Sequence, residues 1–298
     1  MQIVFVRLLA VCSMVLMGVL ARRRGLLDSV GTRQISLLVT NVLYPALIYA
    51  SLVQTFTLGG LAANWTLPAG TVLIMLTGFC IGALAAWVMP FRDEREQRAF
   101  RFQCAINNYV FLAMPLVQIY WGAEAVALLV FSTVGSELSV WTLGVIALTG
   151  RRFHWRTLGH LVSMPMGAIL AAVLTLAVAQ GTGWRPAAGG LADDLRRALL
   201  AALDIVGKGT VPLAMIVAGS RMAELQPRHL LRPPQLAVVA LRLVVIPAVA
   251  LALLYALPFA PAARNVLTVV AVMPSAIASV MLSEIYEADS EFAAAAVL

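Results

Sequence analysis

Charge is what this chain has least of. Only 12% of its 298 residues are Asp, Glu, Lys or Arg, where soluble domains carry about 25%. Lys208 is the one lysine among 21 basic residues. Hydrophobic residues make up 61% of the chain and the mean hydropathy is +0.92. A soluble core cannot hide that much apolar surface, so the expected class is an integral membrane protein with the lipid bilayer as its first partner. Cysteine is scarce too. Cys12, Cys80 and Cys104 all fall in apolar runs without CxxC spacing, which argues against disulfides and thiolate metal sites and reads as helix packing. No GxxxxGK loop, GxSxG elbow or nucleophile triad occurs, and His154, His160 and His229 lie in or near loops without metal spacing. An ATP-driven pump or an enzyme is therefore not expected, and neither is a cofactor or a metal. The net charge of +7 does not point to nucleic acid. The arginines are dealt out in small groups between apolar runs instead of forming one patch.

A hydrocarbon core about 30 Å thick needs about 20 apolar residues per helix. Such runs fall at Ile3 to Leu20, Ile35 to Val53, Leu67 to Met89, Phe102 to Tyr120, Ala125 to Leu148, Leu158 to Ala179, Leu199 to Gly219, Leu236 to Ala256 and Asn265 to Tyr286. A tenth begins after Asp289 and is too short to cross before Leu298, so an incomplete final helix is expected. Fourteen arginines follow the odd-numbered runs one, three, five and seven, among them Arg22, Arg95, Arg151 and Arg232. The opposite loops hold only Arg185, Arg196, Arg197 and Arg264. The positive-inside rule puts the larger group in the cytoplasm and the N-terminus outside, in a multi-pass protein of the cytoplasmic (inner) membrane. A cleaved signal peptide does not fit the first run, because its arginines come after the apolar stretch.

The basic loop at residues 150–157 divides five runs (1–149) from an expected five more (158–298). An odd number per half inverts the second half, and the halves echo one another. Tyr44-Pro45-Ala46-Leu47-Ile48 is echoed by Val211-Pro212-Leu213-Ala214-Met215, and Ala113-Met114-Pro115 by Val272-Met273-Pro274. Two five-helix inverted repeats are therefore expected, with the fourth and ninth runs interrupted. Pro115 and Pro274 each disrupt bonding to the carbonyl four residues back, Phe111 and Val270. In lipid those carbonyls need another partner. A half-helix is expected to begin beyond each proline, its positive end facing the break, where it favours an anion. Asn107 and Asn108 can add amide donors, and Ser275 and Ser279 hydroxyls, with Asn107 the better candidate for satisfying backbone. Three ionisable residues within runs are further candidates. Glu137 suits either a coupling proton or a hydrogen-bonded packing role. Lys208, four residues after Asp204, suits an ion pair or anion attraction. Arg242 is expected to snorkel or brace a helix end, with contact to a cytoplasmic anion as the other reading.

Several of these motifs stand in register with a known family. Asn108 with Pro115, Pro212-Leu213-Ala214 leading to Gly219, Arg242-Leu243 with Pro247, and Pro274-Ser275-Ala276 with Glu284-Ile285-Tyr286 resemble the auxin efflux carrier family. That family includes bacterial carriers of malonate and related carboxylates. The resemblance implies a ten-helix fold of the bile-acid-symporter type, with spans four and nine crossing at their prolines. It also implies a scaffold of spans one, two, six and seven, a moving domain of the remaining spans, and a homodimer. Asn108 matches the family's substrate-contacting asparagine, and Ala113 stands where the family usually has glycine. The expected function is secondary transport of a small organic anion, a carboxylate first, by elevator-type alternating access. A sodium- or proton-coupled carrier or antiporter of the same shape, and a membrane receptor that binds without transporting, are the alternatives.

Overall fold

The computed structural model describes residues 2–150, 163–182, 190–223, 232–276 and 278–297. Arg151, Arg152, Arg156, His154 and His160, the start of the sixth run, Arg185, Arg228, His229, Ile277 and the side chain of Arg7 lie outside the described residues. In chain order the helices are α1 (Gln2–Arg23), α2 (Ser29–Leu38), α3 (Tyr44–Thr55), α4 (Leu58–Ala63), α5 (Thr66–Ala85), α6 (Glu94–Ala105), α7 (Ala113–Ser139, two helical stretches joined at the non-helical Gly122) and α8 (Val145–Thr149). They continue as α9 (Met164–Thr182), α10 (Leu191–Lys208), α11 (Thr210–Met222), α12 (Pro233–Ala240), α13 (Ile246–Ala256), α14 (Pro261–Ala271), α15 (Ser279–Ile285) and α16 (Ser290–Val297). The described residues form no strand beyond one isolated bridge.

This is an all-α membrane protein. Six helical stretches among the described residues are long and apolar enough to cross a bilayer, from Ser29–Thr55 to Pro233–Ala256. An apolar run in lipid becomes a helix because only there does each backbone group find its partner within the segment. Polarity is correspondingly inverted: Leu16, Trp87, Leu174, Ile205 and Val244 are exposed, while Gln103, Asn107, Ser136 and Arg242 are buried.

Among the described residues three wide π turns interrupt the helices, at Val39–Leu43, Val140–Gly144 and Leu241–Val245. The first and third each run directly into a proline-led segment, at Pro45 and Pro247. The extra residue in the turn moves the preceding carbonyl away from the proline ring, so the helix axis continues past a residue that would otherwise break it.

The chain divides into two compact units. The first comprises Met1–Trp65, Gln118–Phe131 and Val162–Ala223. Here α1 packs along α11, and α3 packs against α9 and α10. The α1–α11 contact is close enough that glycine is required from both sides. A Cβ on Gly219 would overlap the Val15 carbonyl oxygen, and one on Gly18 that of Ile216. Nearby, the buried hydroxyls of Thr32 and Ser220 share a 2.7 Å hydrogen bond.

The second unit comprises Thr66–Val117, Ser132–Leu161 and Glu224–Leu298. Its core gathers Met75, Phe100, Phe102, Ile106, Leu148, Val238, Ile246 and Phe292. Asp93 caps α6 by accepting from Glu96 N at 2.9 Å, and Glu96 accepts in turn from Arg92 N at 2.7 Å. The same Glu96, fully buried, pairs with Arg232 at the start of α12 and ties the two helix ends together. Gln235 Nε2 donates to Phe292 O at 3.4 Å, joining α12 to α16.

In the first unit, Gly219→Ala is expected to cost about 1–3 kcal/mol by forcing α1 and α11 apart. The check is the thermal unfolding of the detergent-purified protein, and a melt equal to that of the unaltered chain would count against the close contact.

Candidate functional site

Both interruptions occur in the second unit, and each supplies what the other lacks. Helix α6 ends at Ala105 and α7 opens at Ala113; α14 ends at Ala271 and α15 opens at Ser279. Between them the chain leaves its helical bonding, and the two exposed stretches of backbone pair with each other. Asn108 N donates to Pro274 O at 2.8 Å, and Ala276 N donates to Ile106 O at 3.3 Å. The result is a single antiparallel bridge centred on Asn107 and Ser275. Helix-derived backbone in a water-poor interior has few other ways to be satisfied.

Side chains complete the accounting. Pro274 has no N–H to return to Val270 O, and Asn107 Nδ2 takes its place at 2.5 Å. At the end of α6, Ser275 Oγ donates to Gln103 O at 3.2 Å, and Arg242 Nη1 donates to Cys104 O at 3.0 Å. Arg242 Nε also reaches Met273 O in the second break, at 3.1 Å. Gln103 Nε2 donates to Ser279 Oγ at 2.8 Å and to Ala293 O at 3.2 Å, which fastens α15 and α16 to α6. Close approach to this point depends on α5: a Cβ on Gly78 would overlap Cys104 O.

The expected site residues now separate by task. Asn107, Ser275 and Ser279 lie at the bridge, buried, and each already holds a protein partner. Asn108 gives its backbone N–H to Pro274, while its side-chain amide, 5% exposed, has no hydrogen bond to the described residues. Pro274 lies within the second break, as its chemistry requires. Pro115 does not start the first break from within, and the expectation that a half-helix begins beyond it is corrected. Helix α7 opens at Ala113 with no side-chain cap, and Pro115 sits in its first turn, where a missing N–H has no helical partner to lose.

Arg242 is a second correction. It neither snorkels nor braces an outer helix end. At 1% exposure it turns inward from the π turn Leu241–Val245 onto the two breaks. Glu137, 6% exposed, accepts from Tyr109 Oη at 3.0 Å and from Trp141 Nε1 at 3.3 Å. Tyr109 is the neighbour of Asn108, so the carboxylate is tied to the first break. Lys208 belongs to the other unit and pairs with Asp204 at 2.5 Å, with its side chain 70% exposed.

Gln103 and Tyr109 take part without having been singled out from the sequence. For Gln103 a signal exists: it stands four residues before Asn107, on the same helical face, and is the one polar side chain in the stretch Phe102–Ala105. Tyr109 carries no such spacing with Glu137.

The division of labour between the two asparagines can be measured. Asn107→Ala removes the side-chain donor to Val270 O and leaves it Met273 N at 3.3 Å, and is expected to destabilise the protein by about 0.5–1.5 kcal/mol. Asn108→Ala is expected to melt close to the unaltered chain. Thermal unfolding of the two purified variants side by side checks both, and equal losses would contradict this assignment.

Comparison with known proteins agrees with the geometry. A family model described as membrane transport protein matches residues 3–158 and again 157–298, together nearly the whole chain. The chain is also similar to an uncharacterized transporter of Methanothermobacter thermautotrophicus, 26% identical over 282 residues, which is 92% of this chain and 86% of that one. With broken, bridged helices inside an all-α membrane fold and a family match of that extent, the chain belongs to the membrane transport protein family, that of the auxin efflux carriers.

Proposed function

We propose that this protein is a secondary carrier that moves a small organic anion, a carboxylate in the first place, across the cytoplasmic membrane. The observation that carries the reading is the state of Asn108. Its backbone is locked into the bridge, its side-chain amide has no hydrogen bond to the described residues, and α7 opens five residues later without a side-chain cap. A carboxylate there meets an amide donor and the positive end of a helix. Arg242 donates to the second break, the segments 106–112 and 272–278 contain no acidic residue of their own, and the acid at the first break, Glu137, is already engaged by Tyr109 and Trp141.

The division of the chain supports an elevator-type mechanism. Every residue of the crossing, together with Glu137 and Arg242, belongs to one unit, and spans one, two and seven and the described part of six to the other, which also takes in Gln118–Phe131 from spans four and five. In this reading the unit with the crossing carries the solute as a body past a static scaffold, and a homodimer of scaffolds gives it purchase in the bilayer. Glu137 is the candidate for a coupling proton, since Tyr109 links its carboxylate to the residue next to Asn108. In this arrangement the N-terminus faces outward, a reading supported by the distribution of arginines.

A thermal-shift screen of mono- and dicarboxylates against the purified protein identifies the solute, and uptake into proteoliposomes tests its transport. Asn108→Ala should weaken binding by about ten- to a hundredfold, equivalent to losing roughly 1.5–3 kcal/mol, in a protein that still folds. Unchanged uptake by this variant would defeat the assignment. For Glu137→Gln, solute exchange at equal pH on both sides should persist while the response of net uptake to a pH gradient disappears. A gradient response that survives the substitution would remove Glu137 from the coupling role.

A further inference from the structure

The guanidinium of Arg242 occupies an unusual position. It is fully enclosed, yet among the described residues no carboxylate lies within ion-pairing distance of it. Arginine does not escape such a place by losing its proton. An isolated cation in a low-dielectric interior costs several kcal/mol unless something replaces its water. What replaces it here is backbone: Cys104 O from the last turn of α6 and Met273 O from the second break, at 3.0 and 3.1 Å. The third guanidinium nitrogen, Nη2, is buried without a hydrogen-bond partner.

Carbonyls at the C-terminal ends of broken helices carry partial negative charge. In carriers built from such helices those ends are where a coupling cation is held. In this chain the carbonyls converge on a cation that is covalently part of α12–α13. The fold has been shaped to deliver it: Arg242 is the second residue of the π turn, and Pro247 follows that turn. Gly78 leaves room for the Cys104 carbonyl that accepts from Arg242.

We propose that Arg242 is a tethered cation which fills the cation position of the crossing, holding both broken helices together and making their arrangement independent of a bound monovalent metal ion. Arg242 is thus a positioning residue for the crossing. A residue that merely fills space would do its work through volume; this one does it through charge and donor geometry.

Those two roles separate in a melting experiment on the full-length protein in detergent, followed by tryptophan fluorescence and free of any solute. Buffers of equal ionic strength contain sodium chloride or choline chloride, with and without guanidinium chloride at low, non-denaturing concentration. The unaltered protein should melt at the same temperature in sodium and in choline. Arg242→Ala should melt several degrees lower in choline and recover at least half of the loss with guanidinium. Arg242→Lys, which keeps the charge, should melt above Arg242→Met, which keeps only the bulk; this pair decides the matter if the alanine variant does not fold. The proposal is overturned by a methionine variant as stable as the lysine variant. It is equally overturned by a folded alanine variant that guanidinium does not help, or by an unaltered protein that sodium stabilises by several degrees over choline. Because no carboxylate is present, failure here leaves the reading of Asn108 as a solute contact untouched, and failure of that reading leaves these melts unaffected.

Discussion

The second unit is organised by a backbone that leaves the helix twice in surroundings where water cannot serve it. An unmade N–H or C=O costs several kcal/mol in hydrocarbon, so one broken helix in isolation would be a severe defect. Two breaks placed against each other remove the defect, because the donor of one becomes the partner of the other through Asn108 N to Pro274 O and Ala276 N to Ile106 O. Once that bridge exists, the polar side chains around it follow as necessities. Asn107 replaces the hydrogen bond that Pro274 cannot make, and Ser275 and Arg242 serve the last carbonyls of α6.

Buried polarity in a membrane protein is therefore not by itself a sign of ligand binding. Of the polar groups that converge on the crossing, several are consumed by the fold, and subtracting them is what reveals the functional remainder. Ser275 illustrates the point: a hydroxyl beside a proline break suggests an anion donor, but its hydrogen bond goes to Gln103 O. Among the described residues the donors left over at the crossing are the side-chain amide of Asn108 and one nitrogen of Arg242, beside the buried, unpartnered side-chain oxygens of Gln103 and Asn107. An amide donor and a positive charge, with the one acid at the first break, Glu137, held by Tyr109 and Trp141, are the basis of the proposed anionic solute.

Much of this was legible in the sequence because lipid leaves so few options. Apolar runs of sufficient length must be helices, and a proline beside polar residues inside such a run must mark an irregularity with a purpose. The rule that proline orphans the carbonyl four residues back even names Val270 as a group in need of a partner. What sequence periodicity cannot express is which distant group answers. The inward turn of Arg242 depends on a π turn that shifts its side chain around the helix by one residue, and no composition signal announces that shift. A cytoplasm-proximal arginine reads as snorkelling unless its rotation is known. Pro115 misleads for a related reason: proline is as comfortable in a first turn as at a rupture, and the sequence alone does not say on which side the helix resumes. Glu96 and Arg232 lay hidden because each looks like an ordinary loop charge, and only the packing of α6 beside α12 unites them.

Three consecutive residues show how the structural and functional demands are reconciled. Asn107 is anchored on Val270 O, and Tyr109 is anchored on Glu137. Asn108 stands between them, its main chain fixed by Pro274 and its side chain left over. If Asn108 is the solute contact proposed above, a donor held on both flanks loses little conformational freedom on binding, so more of the contact energy appears as affinity. The same arrangement explains why two adjacent asparagines are not interchangeable. Exchanging their tasks would require the chain to reverse the sides its neighbouring residues face, which the bridge with Ser275 forbids. Holding the break rigid and offering a free amide are thus one design, in which the interactions that satisfy the backbone also position the donor.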